Sequence, residues 1–130
     1  MLNDQVYDFL FSKAHAAAHK AASAVIPAPM IVGTAKSLVS NEIDYTKPVE
    51  VVSEGPCGFA WINIKPGNSG FAKWLKKNRF ARKDEYYGGV TIWVSAYNQS
   101  MIRKETYAET FAEYVRTAGN INAYANSRMD

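Results

Sequence analysis

Ser100 is followed three and four residues later by Arg103 and Lys104, and preceded by Asn98 and Gln99. Ser100 is a good helix N-cap, so the two cations fall in a predicted first helical turn. Cations there oppose the helix dipole. Their position makes sense if they hold an anion that the same N-terminus attracts. Tyr86 and Tyr87, followed by Gly88 and Gly89, offer rings on which a base can stack. Arg116 and Arg128 supply further phosphate contacts from a neighbouring element or subunit. Amides for base edges, rings for stacking and cations for phosphates together describe a ligand site for a nucleotide.

Other constellations are weaker. Cys57 follows Gly55-Pro56 in a turn, but both histidines lie far away in the N-terminal segment, so a Cys–His hydrolase is disfavoured. His15 and His19 stand at i and i+4, a spacing that can hold a metal. No third ligand stands near them, and the expectation is plain surface histidines with no metal. Glu105, Glu109 and Glu113 form one helical stripe, which without histidine or aspartate partners reads as a solvated face. The turn Gly67-Asn68-Ser69-Gly70 could meet a phosphate, but it lacks the Lys-Ser/Thr ending of a Walker loop. No catalytic set and no cofactor are expected.

The chain has 130 residues, 48% hydrophobic and 21% charged, as in a globular domain. The net charge of +3 is unevenly spread. Between Ala60 and Lys104 a run of lysines and arginines meets only Asp84 and Glu85, whereas the rest of the chain is net acidic. Such asymmetry attracts anions locally. With one cysteine there is no internal disulfide framework, which fits a reducing compartment. No run approaches ~18 apolar residues, and no secretory pattern opens the chain. The expectation is a cytoplasmic protein that does not engage a membrane.

The elements that must position these groups follow from periodicity. Leu2 to Ile26 reads as an alanine-rich helix stopped by Pro27 and Pro29, an arm for docking or oligomerisation. Residues 27–48 read as an irregular connection, in which Val32-Gly33 and Leu38-Val39 could be short strand pieces. Residues 49–130 carry the α/β core: strand Val49–Val52, strand Phe59–Ile64, helix Gly70–Asn78, strand Val90–Ala96, helix Met101–Ala118 and strand Ile121–Ala125. The segment between the first core helix and Val90 reads as a basic loop. The class is α+β in a single domain, 1–130. It is a two-layer sandwich, a small antiparallel or mixed sheet with two helices on one face, plus the N-terminal helical arm.

Ala60, Ile62 and Ile64 with Val90, Ile92 and Val94 supply the face beneath the helices. Phe59, Trp61, Trp93 and Tyr97 are left on the other face, among Asn63, Thr91 and Ser95. An exposed aromatic patch of that kind needs cover, by the N-terminal helix, a second subunit or a ligand. A homo-oligomer, most simply a two-fold dimer, is expected.

The stretches Cys57-Gly58-Phe59-Ala60-Trp61 to Lys65-Pro66-Gly67-Asn68-Ser69, Ala81-Arg82-Lys83-Asp84 to Tyr86-Tyr87-Gly88-Gly89-Val90, Asn98-Gln99-Ser100 and Ala125-Asn126-Ser127-Arg128-Met129-Asp130 resemble small phage-encoded proteins. They are similar to the first-described type of Thoeris anti-defence signal sponges. The resemblance covers about Gly55 to Asp130. It implies a non-enzymatic protein, acting in the cytoplasm of an infected bacterial host, that sequesters cyclic ADP-ribose isomers and in some members cyclic oligonucleotides. It also implies dimers or higher oligomers with ligand pockets near subunit interfaces. The positions it carries over are a tyrosine from Tyr86–Tyr87, Asn98 and Arg116, with Arg103 and Arg128 as alternatives to Arg116. A different reading is a small nucleic-acid-binding phage protein whose Lys73, Lys76, Lys77, Arg79, Arg82 and Lys83 track a phosphate backbone. A third is a virion or scaffold component that assembles through the aromatic face.

Overall fold

The computed structural model describes residues 4–33 and 42–130. The Leu38-Val39 piece lies outside them. Helix α1 (Asp4–Ala24) is followed by β1 (Met30–Val32), β2 (Glu50–Val52), β3 (Gly58–Lys65), α2 (Gly70–Lys77), β4 (Arg82–Lys83), β5 (Val90–Trp93), α3 (Met101–Gly119) and β6 (Asn122–Met129). The strands β4-β5-β3-β6 form one antiparallel sheet in that order. The run from β3 to β6 is thus a split β-α-β arrangement, with each crossover helix joining strands that are not neighbours. The expected α+β class is what the chain adopts.

The sheet's aliphatic face is the core. Ala60, Ile62 and Ile64 of β3 and Val90 and Ile92 of β5 are buried with Phe71 and Leu75 of α2 and Phe111 and Val115 of α3. Ser69 and Ser100 cap α2 and α3, their hydroxyls accepting from the backbone N–H groups of Ala72 and Arg103. The C-cap of α3 is Asn120, in the left-handed region at φ 52°, a conformation asparagine tolerates better than most residues.

Four expectations change. The N-terminal helix, read as an arm for docking or oligomerisation, contributes to the core of its own chain: Leu10, Ala14, Ala18 and Ala22 form a buried stripe, and α1 packs chiefly along α3. Small side chains let the two helix backbones approach, which is why the tract looks poor in core residues when read for bulk. Val49–Val52 does not join the main sheet; β2 pairs with β1 in a separate two-stranded ribbon. The basic loop contains the edge strand β4, Arg82 lying opposite Thr91. The last strand runs on to Met129, so it pairs along the whole of β3 and brings Arg128 opposite Phe59.

Candidate functional site

The second face of the sheet is built by register. Trp61 of β3 lies opposite Trp93 of β5, and their rings stack at 5.6 Å with planes 6° apart. Phe59 stands 5.6 Å from Trp93 on the same face. Arg128 reaches over the Phe59 ring, its guanidinium carbon 5.5 Å from the centroid. None of the three helices covers this face completely: Trp93 is 49% exposed and Tyr86 86% exposed. Trp61, Trp93, Thr91, Tyr86, Tyr87 and Arg128 line a cleft of about 520 Å³, the size of a small-molecule site.

Asp84, at the foot of that cleft, organises the tyrosines. Its Oδ1 accepts the backbone N–H groups of Tyr86 (2.9 Å) and Tyr87 (2.8 Å), and its Oδ2 accepts the Thr91 hydroxyl at 2.6 Å. The Thr91 hydrogen bond first, then the Tyr87 amide, hold its carboxyl below the usual aspartate range. On the far side of the loop, the buried Asn63 donates to the Gly88 carbonyl at 2.9 Å. Gly89, at φ 67°, passes so near the Ile64 carbonyl that a Cβ would collide with it. The loop is therefore tied from both ends, and Tyr87 is held 6.4 Å from Trp61, with Tyr86 edge-on to Tyr87 at 4.6 Å.

Of the predicted site residues, Tyr86, Tyr87 and Arg128 meet in this cleft. Asn98 and Gln99 are exposed in the turn before α3, and the Gln99 carbonyl accepts the Gly58 N–H at 3.0 Å, next to Phe59. Ser100 is buried and spends its hydroxyl on capping α3. Arg103 turns away to α1. Its Nε pairs with Glu54 at 2.9 Å, and it donates to the Ala22 and Ser23 carbonyls at 2.8 and 3.3 Å. The cation thus sits at a helix C-terminus, the favourable end of the dipole, in a helix with no basic residue of its own last turn. Arg116 braces α3 to β6, donating to the Ala123 carbonyl at 2.7 Å. Lys104 is 5% exposed, with its Nζ 3.3 Å from the Gly58 carbonyl and 5.6 Å from the Phe59 centroid. The arginine and lysine side chains nearest Phe59 therefore come from β6 and α3 together.

Sequence reading overlooked Asp84 as anything but a counter-charge, although Asp before a Tyr-Tyr-Gly-Gly turn is an Asx-turn signature. It also placed Tyr97 on the aromatic sheet face. The regular strand ends at Trp93, and at φ 69° Tyr97 swings its ring toward α1. His15 and His19, expected as plain surface residues, are exposed, and each is also hydrogen-bonded to a tyrosine across the fold. Among the described residues no three His, Cys, Asp or Glu side chains gather as a metal site, and no helix is long and apolar enough to cross a membrane.

Comparisons with protein-family models, curated proteins and solved structures found no match.

Proposed function

We propose that this chain is a phage protein that binds a cyclic nucleotide immune signal, of the cyclic ADP-ribose class, and sequesters it intact in the cytoplasm of an infected bacterium. The observation that carries the reading is the stacked Trp61–Trp93 pair sharing one cleft with Tyr86, Tyr87 and Arg128. Rings take the base, the guanidinium takes phosphate, and Asn98 and Gln99 stand exposed at the same end of the sheet as Phe59. Stacking is worth roughly 1–3 kcal/mol per base. A cation beside the rings adds a charge-assisted hydrogen bond. The cleft is open on its outer side, so a second copy of the chain completes it in this reading. The resemblance to Thoeris signal sponges supplies the ligand class and the infected-cell setting.

Calorimetry against cyclic ADP-ribose isomers and cyclic di- and trinucleotides tests the reading. The expected result is saturable binding of at least one, with ligand recovered unchanged after heat denaturation. Recovery of a hydrolysed product, or no binding across the panel, overturns it.

One observation favours a second reading. Aromatic residues on the two central strands of a split β-α-β sheet are how RNA-recognition sheets stack unpaired bases. Single-stranded RNA held this way would lose affinity steeply between low and moderate salt. The lysines of α2 belong to the helical layer, so they do not extend the aromatic face into one basic track. A salt titration with a single-stranded oligonucleotide separates this reading from a compact pocket for one cyclic dinucleotide.

A further inference from the structure

Beyond Trp93 lies a second cleft, of about 640 Å³, between α1 and the segment that leaves β5. His15, His19, Arg79, Tyr97 and Tyr107 bring polar groups to it, and Phe80 lies among its apolar walls. The Tyr107 hydroxyl meets His15 Nδ1 at 2.6 Å, and the Tyr97 hydroxyl meets His19 Nδ1 at 2.8 Å. The imidazoles stack on one another, centroids 6.1 Å apart and planes 13° apart. Burial raises both phenols above the ordinary tyrosine value, so each keeps its proton. Each phenol meets an Nδ1, and a neutral imidazole that accepts there carries its proton on Nε2, which has no partner among the described residues.

Backbone conformation marks the same place. Among the described residues, four other than glycine have positive φ, and two are asparagines, which tolerate it. The other two are Arg79 (φ 63°) and Tyr97 (φ 69°), and both line this cleft. At Arg79 this is the ordinary end of α2, whose Lys76 and Leu75 carbonyls accept the Arg79 and Phe80 N–H groups; at Tyr97 the left-handed backbone persists because the surroundings enforce it. The Arg79 guanidinium has no hydrogen bond or ion pair among the described residues, while its own N–H is tied to the Lys76 carbonyl at 3.1 Å. Phe80 stacks on Phe11 at 4.3 Å, which stiffens that wall.

We propose that this cleft is a separate binding site for an aromatic anion: a planar ring the size of a nucleobase or indole, carrying a phosphate or carboxylate. The ring lies against Tyr97 and Phe80. The anionic group pairs with Arg79 and accepts from the Nε2–H groups of His15 and His19. The site stands independently of the open-face cleft, with Trp93 as the partition between them.

The test is calorimetry with three probes, adenosine 5′-monophosphate, indole-3-carboxylate and inorganic phosphate, together with long-range ¹H–¹⁵N spectra of the histidine rings. One aromatic probe is expected to bind at least tenfold more tightly than phosphate and to shift the His15 and His19 ring signals. Arg79→Asn removes the charge while suiting the left-handed backbone, and should weaken that binding at least tenfold. The double variant His15→Ala/His19→Ala should do the same, because alanine suits the helix. Arg128→Ala should leave it unchanged while impairing cyclic-nucleotide binding at the open face. The proposal is overturned if no aromatic probe binds at millimolar concentration, or if phosphate alone binds as well. It is also overturned if Arg79→Asn, with an unchanged melting temperature, binds like the parent, or if Arg128→Ala abolishes binding at both clefts.

Discussion

Asp84 shows how one short side chain can set the geometry of a site it does not fill. Three hydrogen bonds converge on its carboxylate, two from the tyrosine amides and one from Thr91. Asp84→Ala removes all three and frees Tyr86 and Tyr87, so cyclic-nucleotide affinity should fall about tenfold, or roughly 1.4 kcal/mol by calorimetry. Because the folded carboxyl titrates below the ordinary value near 4, its contribution is complete above that value. It is lost as pH falls through the lowered one. Binding should therefore be flat from pH 7 to 5 and weaken only on further acidification, and a decline beginning near pH 6 would contradict this. Tyr107 has the opposite sign. Burial raises its phenol, so the unfolded chain ionises first, near pH 10, and stability is lost as pH rises beyond that. Urea unfolding at pH 9 and 11 should show a smaller alkaline loss in Tyr107→Phe than in the parent.

Helix α1 illustrates how an element can be misjudged from bulk alone. Ala14, Ala18 and Ala22 are fully buried, so their value lies in what they permit, a close approach to α3. Ala18→Leu forces extra volume into that contact and should cost about 1–3 kcal/mol in chemical denaturation, despite leucine being a good helix former. Arg103 holds the other end of the helix through the Ala22 and Ser23 carbonyls and Glu54. Arg103→Ala should lower stability by about 1.5–3 kcal/mol, the scale of a charged hydrogen bond, and leave ligand affinity within twofold. Loss of affinity without loss of stability would return Arg103 to the ligand. The ion pair of Lys77 with Asp4, at 3.5 Å between exposed side chains, is expected to contribute little.

At the scale of the whole molecule, the aliphatic face of the sheet and the three helices make one packed side, and the aromatic face is the other. Phe111 is fully buried among α1, α3 and the sheet, and Phe111→Ala should cost about 3–5 kcal/mol. The face with Trp93 and Tyr124, each about half exposed, is the kind of patch that a second copy or a ligand covers. Light scattering at micromolar concentration should report at least a dimer. A clean monomer mass would remove the second copy from the proposed nucleotide site.

Local pattern was enough for much of the fold. Alternation along Ala60, Ile62 and Ile64 and along Val90 and Ile92 told which face is core, because side-chain period in a strand is two whatever surrounds it. Ser100 announced a helix start through capping chemistry that is equally local. The Tyr86–Tyr87 turn and the exposed aromatic face were legible for the same reason. What needed the tertiary structure was everything set by partners distant in the chain. Arg128 joins the tyrosines because the last strand continues in register with β3 to Met129. Arg103 leaves the candidate pocket because the carbonyls at the end of α1 lie within its reach. His15 and Tyr107 are 92 residues apart and meet only when α1 lies along α3. Helical and strand periodicity assign a residue to a face, but pairing between faces depends on register and on how closely small side chains let two helices approach. Neither is encoded within any one local window.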